Sequence, residues 1–336
     1  MRPLPVISES RGPRGVEVTS PRTVRLSLTD RCDLACVYCR PHRSDGYFEE
    51  RLSLGAWRTL LAALRESGVV RARITGGEPL LSADVVPFVA LLAELGFEDI
   101  ALTTNATRLE KLAEPLRAAG LHRLNVSLDT LDAQRFERLT RGGKLAGVLR
   151  GIERAREVGF TGTKLNTVVV RGENDGELAC LAQWSWERDI TPRFLEIMAI
   201  GEGATMQDGI VSFAEMRLAL APLLAGNEDA LREPDRGPAR YLRARHDPSK
   251  RVGFITGTTD TYCAGCDRLR VAADGTLRPC LATNDGVAAS ESANGGSIEG
   301  VREALAEAWR MKPDGETWKG CTEGTARHVS IRQIGG

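Results

Sequence analysis

The sequence predicts an α/β fold of six successive strand–helix units, followed by a smaller C-terminal region. Three observations predict it. Strand-length apolar runs alternate with helix-length amphipathic segments between residues 24 and 198, the pattern of parallel βα units. Glycines and residues able to carry chemistry recur directly after those strands, where parallel α/β folds place their ligands. After residue 201 the rhythm breaks and a second group of cysteines follows.

Residues 1–22 carry Pro3, Pro5, Pro13 and Pro21 with little apolar pattern, and form an irregular arm. The first strand is 24–28, with a cysteine-rich loop at its end. A helix over 54–66 leads to strand 71–75, which ends in Gly76-Gly77-Glu78-Pro79. Helix 83–95 then precedes strand 99–103, and helix 109–119 precedes strand 123–128. A helical pair, 132–140 and 145–158, leads to strand 163–170; helix 177–188 leads to strand 193–198. Beyond a glycine-rich stretch at 201–212, residues 213–224 are helical and 226–237 are charged and turn-rich. Short strands at 239–243, 251–255 and 269–272 and a helix at 298–310 complete the pattern. The expected organisation is an arm (1–22), a main domain (23–237) and a C-terminal domain (238–336). The cysteine loop, Gly76–Pro79, Thr103-Thr104-Asn105, Ser127-Leu128-Asp129 and Met198 all follow strands and are expected to converge on one site.

Lysines plus arginines and acids both number 45, so no global basic field favours nucleic acid or an anionic membrane. An anionic ligand must instead meet a local basic cluster. No apolar run approaches a membrane span, and the N-terminus lacks a signal-peptide apolar region, so the expected compartment is the cytoplasm. Cysteines there bind metal or do redox chemistry more often than they form stable disulfides. Six of the eight fall into two tight groups; Cys180 and Cys321 stand apart.

The first group, Cys32, Cys36 and Cys39, is spaced C-x3-C-x2-C within one loop. Structural zinc sites draw cysteine pairs from separated hairpins, so a triple in one loop suits them poorly. Three thiolates there match three corners of an iron–sulfur cluster and leave one iron open. A zinc knuckle or buried thiols is the plainer alternative. The second group, Cys263, Cys266 and Cys280, reads alone as a structural zinc pattern. Its fourth ligand must then come from His246 or Cys321, both distant in sequence.

Arg268 and Arg270 stand two apart on a strand and share a face, as do Arg71 and Arg73. Arg25 lies on the first strand, while Lys164 and Arg193 open later ones. Arginine's planar fork suits phosphate oxygens and lysine acts as a point charge. Most basic side chains are ordinary surface groups, but Arg25, Arg73 and Arg268 lie within strands beside cysteine or glycine motifs. Gly76 and Gly77 permit close backbone approach to a ligand; Glu78 either accepts from an amine or caps the turn.

Together these residues resemble the radical S-adenosylmethionine superfamily, through the C-x3-C-x2-C loop with Tyr38 before its third cysteine and through Gly76–Pro79. Within it the chain resembles the GTP 3',8-cyclase family of molybdenum cofactor biosynthesis. The matching segments include Arg73–Pro79, Thr103–Asn105, Asn125–Asp129, Lys164–Asn166, Arg193–Glu196, Cys266–Arg270 and the terminal Ile334-Gly335-Gly336. The resemblance implies an α/β fold, an incomplete (βα)6 TIM-type barrel with a C-terminal cluster-binding extension. It implies two [4Fe–4S] clusters, on Cys32, Cys36 and Cys39 and on Cys263, Cys266 and Cys280. S-adenosyl-L-methionine is expected at Tyr38, Gly77, Glu78, Ser127 and Met198. GTP is expected at Arg25, Arg71, Arg73, Thr103, Lys164, Arg193, Arg268 and Arg270. Arg25, Arg268, Arg270, Gly335 and Gly336 are expected to take part in catalysis.

The implied partners are a flavodoxin- or ferredoxin-like electron donor, pyranopterin monophosphate synthase downstream and a second copy in a homodimer, with no nucleic acid and no membrane. A related enzyme acting on another purine nucleotide or a peptide is the alternative. Four positions depart from the family: Arg40, Arg71, Ala106 and Ala282 stand where a Met or Leu, a lysine, a glycine and an aromatic are usual. The terminal Gly335-Gly336 either frays, as chain ends do, or slides a bare backbone into a crowded site.

Overall fold

The structure, a computed structural model, describes residues 21–40, 47–226, 231–232, 237–259, 263 and 266–313. Among these, in chain order, lie β1 (Thr23–Ser27), α1 (Leu54–Glu66), β2 (Arg71–Thr75), α2 (Val85–Glu94), β3 (Asp99–Thr104), α3 (Leu109–Ala118) and β4 (Arg123–Ser127). Helices α4 (Ala133–Thr140) and α5 (Leu145–Glu157), β5 (Lys164–Val169), α6 (Leu178–Trp186), β6 (Thr191–Glu196) and α7 (Phe213–Ala219) follow. The C-terminal part holds β7 (Leu231–Arg232), β8 (Arg240–Arg243), β9 (Arg251–Ile255), β10 (Arg268–Val271), β11 (Thr276–Arg278), β12 (Val287–Ala288), α8 (Ser290–Asn294) and α9 (Ile298–Arg310). The class is mixed α/β with open sheets and flanking helices, as in an incomplete TIM-type barrel.

Two compact units divide these elements. The first takes residues 21–31, 47–100, 263 and 266–313. In it β1 pairs in parallel with β2 on one side and β10 on the other, while β10–β11 and β11–β12 are antiparallel. One face of the three parallel strands is wholly apolar: Val24, Leu26, Ala72, Ile74, Leu269 and Val271 are each 0% exposed. The helices carry the same pattern at period 3.6. Leu60, Leu61 and Leu64 of α1 and Val301, Leu305 and Trp309 of α9 are buried, and the Trp57 and Phe88 rings meet edge-on with centroids 5.1 Å apart. Ser53 and Ser297 cap α1 and α9, accepting from the Ala56 and Gly300 N–H groups.

Just past β1, Asp30 is fully buried and accepts from the Phe48 N–H at 2.7 Å and from Arg51 at 2.6 and 3.0 Å. The chain thereby leaves β1 in a fixed direction.

The second unit takes residues 32–40, 101–226, 231–232 and 237–259. Here β3, β4, β5, β6 and β9 pair in parallel in that order, and β8 and β7 add antiparallel to β9. β6 stops two residues before the sequence pattern suggests. Its last residue, Glu196, is buried and turns its carboxylate to the N–H groups of Phe213, Thr258 and Thr259 and to the Thr259 hydroxyl. α7 likewise ends early, because Leu224 bridges to Ala244. β7, β11, β12 and α8 went unforeseen; at two to five residues they are too short to show a period.

Replacing Asp30 by alanine leaves Arg51 and the Phe48 N–H without their carboxylate, in a pair buried on one side. The expected loss is about 3 kcal/mol, read as a lower urea midpoint with unchanged slope; an unchanged midpoint contradicts it.

Candidate functional site

In the second unit the first cysteine group lies on a loop docked against the end of α4. The Ala35 and Val37 N–H groups donate to the Thr140 and Leu139 carbonyls at 3.1 and 3.0 Å, and the Cys39 N–H closes a turn on the Cys36 carbonyl at 2.9 Å. Leu34 and Ala35 are buried beneath, while the three cysteines are half-buried. The Tyr38 hydroxyl donates to Asp129 Oδ2 at 2.6 Å; Asp129 Oδ1 accepts from the Val168 N–H at 2.9 Å. Burial pushes the Asp129 carboxyl up to about 6, against the pull of those two donors. Burial and the Asp129 charge raise the Tyr38 phenol, which stays a proton donor. Burial, then Asp129, then Cys39 and Cys32, push the Cys36 thiol up.

Asp33 braces the same loop from outside, accepting from Asn105 Nδ2 at 2.8 Å and from the Thr107 hydroxyl at 2.7 Å. Asn105 Nδ2 also points to Cys32 Sγ at 3.9 Å. Between them the chain bends at Ala106, where φ is +62° in a fully buried position. The backbone there has the left-handed form for which glycine is usual, and alanine tolerates it at a cost of about 1–2 kcal/mol.

The parallel register of the second unit builds two polar rows. Thr103 stands beside Asn125 and Asn125 beside Lys164; one step on, Ser127 stands beside Asn166, Asn166 beside Arg193 and Arg193 beside Gly253. Neighbours in register share a face, so Thr103, Ser127, Lys164 and Arg193 lie on one face of the sheet. Arg193 is 8% exposed and is aimed by two amides, its Nε donating to Asn166 and its Nη2 to Asn125, both at 2.8 Å. A Cβ at Gly253 would lie 2.8 Å from both the Arg193 stem and the Tyr241 ring. Met198 lies just past β6, its carbonyl accepting from the Ile200 N–H at 2.7 Å.

In the first unit the register gives a row of arginines. Arg25 of β1 is flanked by Arg270 of β10 and Arg73 of β2, opposite the apolar face; one step back, Thr23 is flanked by Arg268 and Arg71. Arg73 is held by Asp99, Nη2 to Oδ2 at 2.5 Å. Past β2, the Gly77 and Glu78 N–H groups donate to the Thr29 and Arg31 carbonyls, both at 2.7 Å. A Cβ on Gly77 would run into the Arg31 carbonyl, and Gly76, at φ +146°, lies equally close to that of Thr29. Glu78 is buried, and its carboxylate accepts from the Leu80 N–H at 3.0 Å, so it does cap the turn.

The second cysteine group also lies in the first unit. The Cys266 N–H turns back to the Cys263 carbonyl at 3.2 Å, and the Ala282 N–H donates to Cys280 Sγ at 3.4 Å. Burial, then Cys266 and Cys280, raise the Cys263 thiol to about 11. Burial also raises Cys266, but Arg268 and Lys312 outweigh it and bring that thiol down to about 7.

Both groups fit a cationic metal cluster on the chemistry of their donors. In each, thiols crowd closely enough to oppose one another's ionisation, and bound metal lifts that penalty. Among the described residues no set of three His, Cys, Asp or Glu is arranged around a single ion. Gly335, Gly336 and Cys321 lie outside the described residues. Sequence reasoning placed Asn105 and Asp129 in the segments expected to converge, without a role for either, and did not single out Asp33, Asn125, Asn166, Gly253 or Lys312 as site residues. Position after or within a strand signals all of these except Lys312, which comes after α9. No described helix is long and apolar enough to cross a membrane.

The family model of the radical SAM superfamily matches residues 26–184, and that of Molybdenum Cofactor Synthesis C matches residues 190–318. A GTP 3',8-cyclase of Pelotomaculum thermopropionicum is 39% identical over 320 residues, spanning 93% of this chain and 97% of its own. One from Saccharophagus degradans is 42% identical over 302 residues, spanning 87% and 89%. Among solved structures, Streptococcus suis SuiB bound to S-adenosylmethionine matches with a TM-score of 0.63 at 17% identity, covering 94% of this chain and 72% of that one. At that identity the likeness is one of fold.

Gly77→Ala forces apart the Gly76–Glu78 segment and the carbonyls of residues 29–31. The expected loss is about 2 kcal/mol of unfolding free energy, checked by urea denaturation; full stability in the variant contradicts the close approach.

Proposed function

We infer the activity from membership: the chain belongs to the GTP 3',8-cyclase family of the radical SAM superfamily. It is an enzyme that converts GTP to (8S)-3',8-cyclo-7,8-dihydroguanosine 5'-triphosphate, the opening step of molybdenum cofactor biosynthesis. The observation that carries this is a likeness running over 97% of the length of a relative with that activity. Superfamily membership brings S-adenosylmethionine and an iron–sulfur cluster with it.

Cys32, Cys36 and Cys39 hold one [4Fe–4S] cluster, and Cys263, Cys266 and Cys280 hold a second. Bound at the first set, a cluster supplies the electron that splits S-adenosylmethionine into methionine and a 5'-deoxyadenosyl radical. The chain's own residues bind, orient and keep water away. Tyr38 fixes the loop through Asp129, while Gly77, Glu78, Ser127 and Met198 bind S-adenosylmethionine. Arg25, Arg71, Arg73, Arg268 and Arg270, with Thr103, Lys164 and Arg193, hold GTP. The in-register arginine row supports this, because guanidinium forks side by side suit the oxygens of a polyphosphate. Asn125 and Asn166 aim Arg193 before substrate arrives, which keeps the reacting atoms at near-attack distance. Arg25, Arg268 and Arg270 act closest to the chemistry, with Gly335 and Gly336 as the tail's contribution. A flavodoxin- or ferredoxin-like protein donates the electron, and pyranopterin monophosphate synthase takes the product on.

The product is an isomer of GTP: a hydrogen leaves C3' and one electron and one proton return. Anaerobic incubation of the reduced enzyme with GTP and S-adenosylmethionine should therefore give a nucleotide of unchanged mass and altered mobility, together with 5'-deoxyadenosine. GTP recovered unaltered contradicts the assignment. Arg25→Met should raise the Kd for GTP about thirtyfold, about 2 kcal/mol, with iron content unchanged.

A further inference from the structure

Lys312 lies two residues past the end of α9, in the same unit as the second cysteine group. Its Nζ donates to the Arg268 carbonyl at 2.7 Å and to the Pro279 carbonyl at 2.9 Å, and lies 5.2 Å from the centre of the Trp309 ring. Those two carbonyls belong to different legs of the chain. Arg268 opens β10 two residues after Cys266, and Pro279 directly precedes Cys280. One ammonium therefore ties together the legs that deliver Cys266 and Cys280, and its charge reaches the Cys263 and Cys266 sulfurs. The indole face of Trp309, 3% exposed, shelters it on the helix side.

We propose that Lys312 is a positioning residue for the second cluster: it sets the spacing of the two ligand-bearing legs and offsets part of the thiolate charge. The proposal rests on Cys263, Cys266 and Cys280 holding a [4Fe–4S] cluster. Partners that orient metal ligands typically govern metal retention about 10- to 100-fold, and charge beside a cluster sets its potential.

The test uses the full chain with Cys32, Cys36 and Cys39 replaced by alanine, so that only the second set is loaded. Iron and sulfide uptake, the rate of bleaching by a chelator and the midpoint potential are measured before and after Lys312→Met. The expected results are at least tenfold faster bleaching and a more negative potential, with both largely restored by Lys312→Arg. Loading of the first set by Lys312→Met, in a background lacking the second, should be unchanged and shows that the chain has folded. Bleaching and potential unaltered by Lys312→Met overturn the proposal alone. If the background without Lys312→Met takes up no iron and sulfide, the reading of the second cysteine set falls and the proposal falls with it.

Discussion

The parallel pairing of β1 with β2 and β10 at once is the constraint on which the first unit depends. It sets Val24 and Leu26 among fully buried neighbours on one face and Arg25 between Arg270 and Arg73 on the other. Adjacent strands lie about 5 Å apart, and like charges at that spacing repel by about 3 kcal/mol at an effective dielectric near 20. Asp99 relieves Arg73, and Asp267 lies at the start of the row, bonded to Thr23. A sheet that lines up guanidinium groups this way sacrifices stability on one face. The apolar face, anchored by α1 and α9, is what makes that tolerable.

The same strands place the cysteines. β10 begins two residues after Cys266, so the arginine row and the second cysteine group are fixed by one ladder. In the second unit, the equivalent device is a pair of polar rows in which amides, not acids, steady Arg193. An acid there would neutralise the guanidinium; an amide oxygen orients it and leaves its charge intact. The cysteine loop of that unit hangs from Thr140, Leu139 and the Tyr38–Asp129 bond, so its geometry is set by the protein itself.

Much of this was legible in the sequence, and the limits have physical causes. The six βα units declared themselves because period 2 and period 3.6 are local properties. The cysteine groups stood out because their spacing is written along the chain. The shared face of Arg71 and Arg73, or of Arg268 and Arg270, follows from strand geometry alone. That Arg270 lies beside Arg25 does not, since strand order is a long-range property that no local pattern encodes. Lys312 was missed, and Asp129 and Asn105 were placed without their partners, because an isolated polar residue reads as a solvated one until its partner is known. Ala106 was noticed as a departure from glycine, and the +62° φ explains why glycine is usual there. Glu78 carried two readings; its bond to the Leu80 N–H shows that it caps the turn, and this bond does not bear on the other reading.

The central claim is that this chain directs a radical to one carbon of GTP. The most direct test is single-turnover reaction with GTP deuterated at C3', followed by mass analysis of the 5'-deoxyadenosine released. One deuterium per 5'-deoxyadenosine is the predicted result. Deuterium retained in the nucleotide product, or 5'-deoxyadenosine free of it, would contradict the account.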